Sequence, residues 1–308
     1  MQLLHGMSAL SSLPPEGALS IGNFDGLHIG HAEILRDAKA LAATAPVIII
    51  TFEPHPLTAL RPQQVPPRLT DLQTKRQLLS DAGADYLIEL PPTPDVLGTT
   101  AEQFWQIIRD QIKPRHIIEG ADFHFGRGRS GNITRLQEWS AGTTIQLHIA
   151  NPVETTLQNL QIVPISSTLI RWLVGNGRMR DAALCLGRPF TLVGPVIRGF
   201  GRGRQMNMPT ANLRITDQVI PMEGVYTGQC RVGENNYPAA ISVGRPPTFE
   251  TAEFQIEAHL IGFTGDLYGQ QIHLQFLDWL RDQRKYPNMQ TLQLQMTHDL
   301  SIIAQLPV

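Results

Sequence analysis

Lysine is scarce in this 308-residue chain: it stands at positions 39, 75, 113 and 285 only, with none between 114 and 284. A GxxxxGK[ST] run is absent, which excludes a P-loop nucleotide site. Cationic charge comes mostly from Arg, whose planar fork suits phosphates better than an ammonium does. Cysteine is equally rare, at 185 and 230. Two such residues make neither a CxxC motif nor a disulfide framework, and they fit a reducing compartment. The formal charge of −2 leaves no overall basic field, so no nucleic-acid partner is expected. The N-terminus lacks the basic-then-apolar order of a signal peptide. No apolar run reaches spanning length, so no membrane partner is expected either. These absences predict a soluble cytoplasmic protein without internal repeats.

What is present is enough apolar residue for a packed core, 42% hydrophobic against 17% charged, over a length that suits two domains. The densest information lies in residues 20–31, Ser-Ile-Gly-Asn-Phe-Asp-Gly-Leu-His-Ile-Gly-His. A strand at 18–22 runs into a glycine-punctuated turn, and helical periodicity starts at Ala32 and continues to about Ala43. Backbone amides and the helix dipole at such a junction favour an anion. His28 and His31 could add donors to a phosphate. Alternatively this is a plain strand-to-helix turn with incidental histidines.

Further along, 46–52 is a short β-branched run that reads as a strand buried on both faces. It ends in Glu53-Pro-His-Pro56, at the strand end where open α/β sheets bind ligands. A helix is predicted at 71–82, strands at 85–90, 116–119 and 145–149, and a helix at 100–112. Residues 1–19 read as a lead-in without function. Alternating strands and helices over about 150 residues predict a doubly wound parallel sheet. Ser166 and Ser167 precede an apolar helix, either as caps alone or, with Arg171, as a phosphate cradle.

After Gly187 the pattern changes to short alternating runs at 190–197, 224–232, 237–243, 254–260 and 271–276, with a hairpin loop at 233–236. They predict a small antiparallel β-barrel, closed by a C-terminal helix at 288–304. The expected boundary divides 1–186 from 187–308.

The first half resembles the FMN adenylyltransferase half of bacterial bifunctional riboflavin kinase/FMN adenylyltransferase, the FAD synthetase family. The carriers are GNFDGLHIGH (22–31), TFEPHP (51–56), GADFHFGRGRSG (120–131) and ISSTLIR (165–171). The second half resembles the flavokinase half, through RGFGRGRQMNMPTANL (198–213), PMEGVY (221–226), IEAHL (256–260) and GDLYGQQI (265–272). The resemblance implies two ATP-dependent reactions, riboflavin to FMN and FMN to FAD with loss of pyrophosphate. It also implies substrates riboflavin, FMN and ATP, with Mg²⁺ as the metal cofactor.

In the adenylylation half, the resemblance and the residue chemistry together give Gly22, Asn23, Phe24, His28 and His31 to ATP. They give Ser166, Ser167, Thr168 and Arg171 to its β- and γ-phosphates, and Asn23, Asp122 and Phe125 to the flavin or nucleotide pocket. In the kinase half they give Gly199, Gly201, Gly203, Pro209 and Thr210 to ATP, Thr210 and Asn212 to Mg²⁺ through the oxygen ligands a hard cation prefers, and Arg281 to the flavin. Glu257 is the candidate general base. The alternative for Glu257 is an ordinary polar strand face, since alternation sets Phe254, Ile256, Ala258 and Leu260 against Gln255, Glu257 and His259.

Four positions depart from the family pattern in the kinase half: Asn207 and Met208 for Gly-Phe, Ser242 for Asn, and Gln283 for an acid. His124 replaces a common Arg in the first half. The departures leave open a one-activity enzyme with an impaired kinase half. A flavin-binding module without turnover, and an adenylyltransferase for another phosphate-bearing substrate, are two further readings.

Overall fold

The computed structural model describes residues 1–199, 203, 208–245 and 253–305. By internal contacts the chain forms two compact units, 1–66 with 72–154, and 67–71 with 155–308.

The first unit is built on a six-stranded, wholly parallel sheet. Its strands are β1 (Gln2–His5), β2 (Ala18–Ile21), β3 (Val47–Phe52), β4 (Tyr86–Leu90), β5 (His116–Gly120) and β6 (Gln146–Ala150), in spatial order β1-β4-β3-β2-β5-β6. The β-branched run at 47–50 is fully buried because it feeds two cores. Ile48 and Ile50 join Leu19, Ile21, Ile88 and Ile117 on one face, while Val47 and Ile49 join Ala18, Leu35, Leu79 and Ile118 on the other. The chain moves from β2 to one side through β3 and β4, then returns to the other side of β2 with β5. The strand order therefore reverses between β2 and β5, and open α/β sheets form their ligand crevice at the carboxyl ends around such a reversal.

Helix α1 (Ile29–Ala42) follows β2, and α2 (Leu72–Asp81) leads into β4. The predicted helix at 100–112 is α-helical only over Ala101–Ile107 and continues as a wider π-turn at Ile108–Ile112 before left-handed Lys113. The lead-in contains β1, an edge strand paired with β4. Its four residues, Gln-Leu-Leu-His, are half exposed and too few to show a period. Helix Ile133–Ser140 also escaped the sequence reading.

The second unit holds a closed antiparallel barrel of β7 (Phe190–Ile197), β8 (Ala211–Leu213), β9 (Gly224–Val232), β10 (Asn235–Gly244), β11 (Gln255–Leu260) and β12 (Gln271–Arg281). The spatial order is β7-β8-β11-β10-β9-β12. Strands β9 and β10 meet in the predicted hairpin, with Val232 opposite Asn235. Strand β12 runs five residues beyond its predicted end, to Arg281, and β9 follows it through two register shifts. Phe254 precedes β11 and is exposed, so only Ile256, Ala258 and Leu260 form its apolar face.

Helices Ser167–Gly175 and Met179–Leu186 lie N-terminal to the change of pattern at 187, yet their apolar residues Ile170, Leu173, Ala182 and Cys185 share one core with Phe190, Leu192 and Phe276 of the barrel. The C-terminal helix spans Met289–Ile303.

Candidate functional site

In the first unit, Gly22 to His31 leave the carboxyl end of β2 at the strand-order reversal. The Gly22 amide donates to Ile50 on β3, which extends the ladder by one residue. The chain then turns through Phe24, Gly26 and Leu27, all at positive φ (48°, 81° and 33°). Two of these are not glycine, a backbone conformation that costs energy and concentrates at functional turns.

His28 caps α1. Its Nδ1 accepts the His31 amide at 3.3 Å, which places the proton of the neutral ring on Nε2. The His28 and His31 rings stack 3.7 Å apart, and Phe24 lies 5.1 Å from His31. A Cβ on Gly30 would stand 3.2 Å from the His28 ring, so the small residue between the histidines leaves room for that stack. His31 Nδ1 is buried and has no hydrogen-bond partner among the described residues. Burial, then the charges of His28 and Lys75, hold the His31 imidazole well below its ordinary pKa. The site thus presents a neutral His31 imidazole, which acts by hydrogen bonding.

Lys75 belongs to this cluster and was not singled out from the sequence. It is buried on α2 and donates to Thr51 Oγ1 at 2.9 Å, and Thr51 donates to the Asn23 carbonyl at 3.3 Å. The available signal was a lysine one turn before Leu79 on an apolar helix stripe, in a chain with few lysines. Asn23 also meets His55 of the Glu53-Pro-His-Pro56 loop at 3.3 Å. His55 Nδ1 accepts the Leu57 amide at 3.1 Å.

The exit of β5 carries the other first-unit candidates. Asp122 is exposed. Phe125 is buried among Phe104, Phe123 and Trp139, in the apolar core rather than on an open pocket wall. Beneath them Glu119, also not singled out from the sequence, is buried and accepts the Ile21 amide at 2.6 Å.

In the second unit, Ser166 caps the helix Ser167–Gly175 by accepting the Leu169 amide at 3.2 Å. Arg171 Nε donates to the Pro67 carbonyl at 2.7 Å, one helical turn from Ser167 and Thr168.

At the barrel, Asn212 on β8 and Ser242 on β10 stand in register with Glu257 on β11, one on each side. The Asn212 Oδ1 is buried with no hydrogen-bond partner among the described residues. A Cβ on Gly199 would come within 2.4 Å of the Asn212 amide, so the chain passes close over that side chain. A Cβ on Gly203 would lie 3.3 Å from Thr210 Oγ1, and the Gly203 carbonyl accepts the Met208 amide. His259, two residues beyond Glu257 on the same face, bonds the Pro209 carbonyl at 2.8 Å and tethers the Pro209-Thr210 step. Gly201 and Asn207 lie outside the described residues.

Two departures from the family pattern meet: Gln283 Nε2 donates to Ser242 Oγ at 2.7 Å. Arg281 is engaged elsewhere. Its Nε and Nη2 clasp the Asp299 carboxylate at 2.7–3.1 Å, and its Nη1 donates to the Asp282 carbonyl.

The orphaned Asn212 oxygen beside Thr210 fits a hard, oxygen-seeking cation. Burial pushes the thiols of Cys185 and Cys230 up to about 11 and about 12, and both are unpaired.

Comparison with known proteins gives three findings. The FAD synthetase family model matches residues 11–168 and the riboflavin kinase model residues 186–306. Bifunctional riboflavin kinase/FMN adenylyltransferase of Escherichia coli K12 is 32% identical over 304 residues, covering 97% of this chain and 96% of its own, and that of Haemophilus influenzae is 31% identical over 310 residues, covering 97% of each. A crystal structure of a Streptococcus pneumoniae protein described as a macrolide-efflux protein has the same fold over the whole length of both chains, at a TM-score of 0.88 and 26% identity.

Proposed function

The chain belongs to the bifunctional riboflavin kinase/FMN adenylyltransferase family, and from that membership we propose how its residues divide the two reactions. The enzyme makes FAD in two ATP-dependent steps: riboflavin is phosphorylated to FMN, and FMN is adenylylated to FAD with release of pyrophosphate. The division assigned is 1–186 to adenylylation and 187–308 to phosphorylation.

In the kinase half, Glu257 takes the proton of the ribityl 5′-hydroxyl as that oxygen attacks the γ-phosphorus of ATP and ADP leaves. A positioned carboxylate base contributes about 10²–10⁴-fold. Thr210 and Asn212 would hold Mg²⁺, which supplies positive charge to the phosphates where the chain has no lysine. Gly199, Gly201, Gly203 and Pro209 form the backbone around ATP. Arg281, occupied by Asp299, supports the flavin site by fixing the chain that carries Gln283. The carrying observation is Glu257 set in register beside Asn212, whose buried oxygen lacks a partner among the described residues.

In the adenylylation half, an FMN phosphate oxygen attacks the α-phosphorus of ATP and the bond to the β-phosphate oxygen breaks. The nucleophile is already an anion, so the protein positions two polyanions and stabilises the leaving pyrophosphate. His28 and His31 donate hydrogen bonds to the ATP phosphates, Lys75 adds a fixed charge, and Gly22, Asn23 and Phe24 shape the turn. Ser166, Ser167, Thr168 and Arg171 are assigned to the β- and γ-phosphates, and Asp122 with the segment around Phe125 to the flavin side. A cytoplasmic location accords with two buried, unpaired thiols.

The second reading, adenylylation with an impaired kinase, rests on Asn207, Ser242 and Gln283. The hydrogen bond between Ser242 and Gln283 weighs against it, because the two replacements pair with each other, although Gln283 Oε1 is left buried with no partner among the described residues. Incubation of the pure protein with riboflavin, ATP and Mg²⁺, resolving flavins over time, decides. FAD accumulating through FMN is expected; FAD from supplied FMN but none from riboflavin would establish the second reading.

A further inference from the structure

Glu119 is a buried carboxyl for which neither reaction has a use. It sits at the carboxyl end of β5, 3% exposed, on the side of the sheet that holds Ile117 and Ile21. Its surroundings explain why it is there. Strand β2 pairs with β3 over four residue pairs, Ala18↔Val47 to Ile21↔Ile50, and β5 pairs with β6 over five. Between β2 and β5 the pairing covers only Ala18↔His116 and Leu19↔Ile117. Beyond that point the Ile21 amide, which a continuing ladder would satisfy from the β5 backbone, donates to Glu119 Oε1 at 2.6 Å. The next residues of β2 are Gly22 and Asn23, where the phosphate turn begins.

We propose that Glu119 is a positioning residue for adenylyl transfer: its side chain replaces the missing ladder between the two central strands and holds their carboxyl ends apart. The inference rests on the assignment of the Gly22–His31 turn to ATP and FMN chemistry.

Parting two neighbouring strands at a strand-order reversal exposes backbone amides that must be paired when buried. A carboxyl reaching across the gap satisfies one of them while keeping the strand ends separated. The proton state matters because the crevice takes two polyanions. Burial, reinforced by the charge of Asp122 and opposed by the Ile21 amide, lifts the Glu119 carboxyl well above the usual carboxylate range. Asp122 is the charged group acting on it. Strand β2 contributes the Ile21 amide, β6 contributes Ile149 in register, and the apolar cluster of Ile21, Ile117, Phe104 and Phe125 contributes no charge. Protonated, Glu119 adds nothing negative beneath the substrates. Ionised, it opposes both.

The test is the pH dependence of FAD formation from FMN and ATP in wild type, Glu119→Gln and Glu119→Ala, with FMN formation from riboflavin in the same proteins as the internal control for folding. Glutamine keeps the acceptor and cannot ionise. We expect Glu119→Gln to stay within about threefold of wild type at neutral pH and to hold its KM for FMN in alkaline solution where that of wild type climbs. Glu119→Ala should lose at least tenfold in kcat/KM for FMN with kinase activity within twofold. Superposable wild-type and Glu119→Gln profiles would overturn the proton-state claim, and an unchanged Glu119→Ala would overturn the positioning claim. A wild-type protein that makes no FAD from FMN at any pH would instead sink the assignment of the turn.

Discussion

A neutral imidazole and a buried lysine meet at the Gly22–His31 turn. His31 is held below its ordinary pKa by burial and by its neighbours His28 and Lys75. Its folded state therefore binds fewer protons than the unfolded chain. The stability this contributes is full above the unfolded value, about 6.5, and is lost as the pH falls through the lowered folded value. Replacing Lys75 by Met removes one of the charges that press the ring towards neutrality. Imidazole NMR should then show the His31 midpoint moving up towards the ordinary value, and FAD formation from FMN should fall about 10- to 100-fold, the range for losing one charged hydrogen bond. An unmoved midpoint would show that Lys75 does not act on the ring. Glu257 offers the matching test in the other half. Glu257→Gln should depress FMN formation by about 10²–10⁴-fold, about 3–5 kcal/mol in the barrier, while FAD formation from supplied FMN stays near wild type. Equal loss of both activities would contradict the role of base.

Elements place these residues, and short ones place the most. Strand β8 is three residues long, yet it sets Asn212 beside Glu257 and beneath the chain at Gly199. A Cβ at 199 would fall 2.4 Å from the Asn212 amide, which is buried and has little room to swing away. Gly199→Ala should therefore raise the KM for ATP in the kinase assay, by about tenfold if the displaced amide forfeits one hydrogen-bonding interaction. The adenylylation assay should be unaffected, and equal ATP affinity in mutant and wild type would refute the close approach. The same brevity decides what could be read from the sequence. The buried strand at 47–52 and the barrel strands at 190–197 and 224–232 were legible because their apolar period runs for several residues. Ala211–Leu213 and Gln2–His5 were not, because three or four residues carry no period and their pairing is set by distant partners. Within the site, His28, His31 and Glu257 stood out through their motifs. Lys75, His259 and Glu119 did not, since each owes its role to a neighbour far along the chain: Thr51, Pro209 and Ile21. Arg281 stood out and yet is engaged by Asp299, eighteen residues away on the C-terminal helix.

Each of the two units carries its own core. One has a parallel sheet buried on both faces; the other has a barrel whose core extends into the helices at 167–186. The pattern of the sequence changes at 187, but the packing divides near 154, because those two helices spend their apolar stripes on the barrel. Substitutions in them should consequently destabilise the kinase half, although all their residues but Leu186 lie outside its family model, 186–306. With separate cores and separate chemistry, the product of one half is expected to serve as free substrate for the other half of a different molecule. Glu257→Gln should lack the first step and keep the second; His28→Ala should keep the first and lack the second. Neither alone should turn riboflavin into FAD. Mixed in equal amounts with riboflavin, ATP and Mg²⁺, they should make FAD after a lag in which FMN accumulates, and the lag should shorten as the His28→Ala protein is raised, because that protein supplies the FMN. A mixture that builds up FMN and never converts it, while Glu257→Gln still adenylylates added FMN, would mean that FMN formed in one chain is withheld from others. A mixture that makes no FMN would show instead that His28 serves the kinase half as well, and would undo the division of residues between the two reactions.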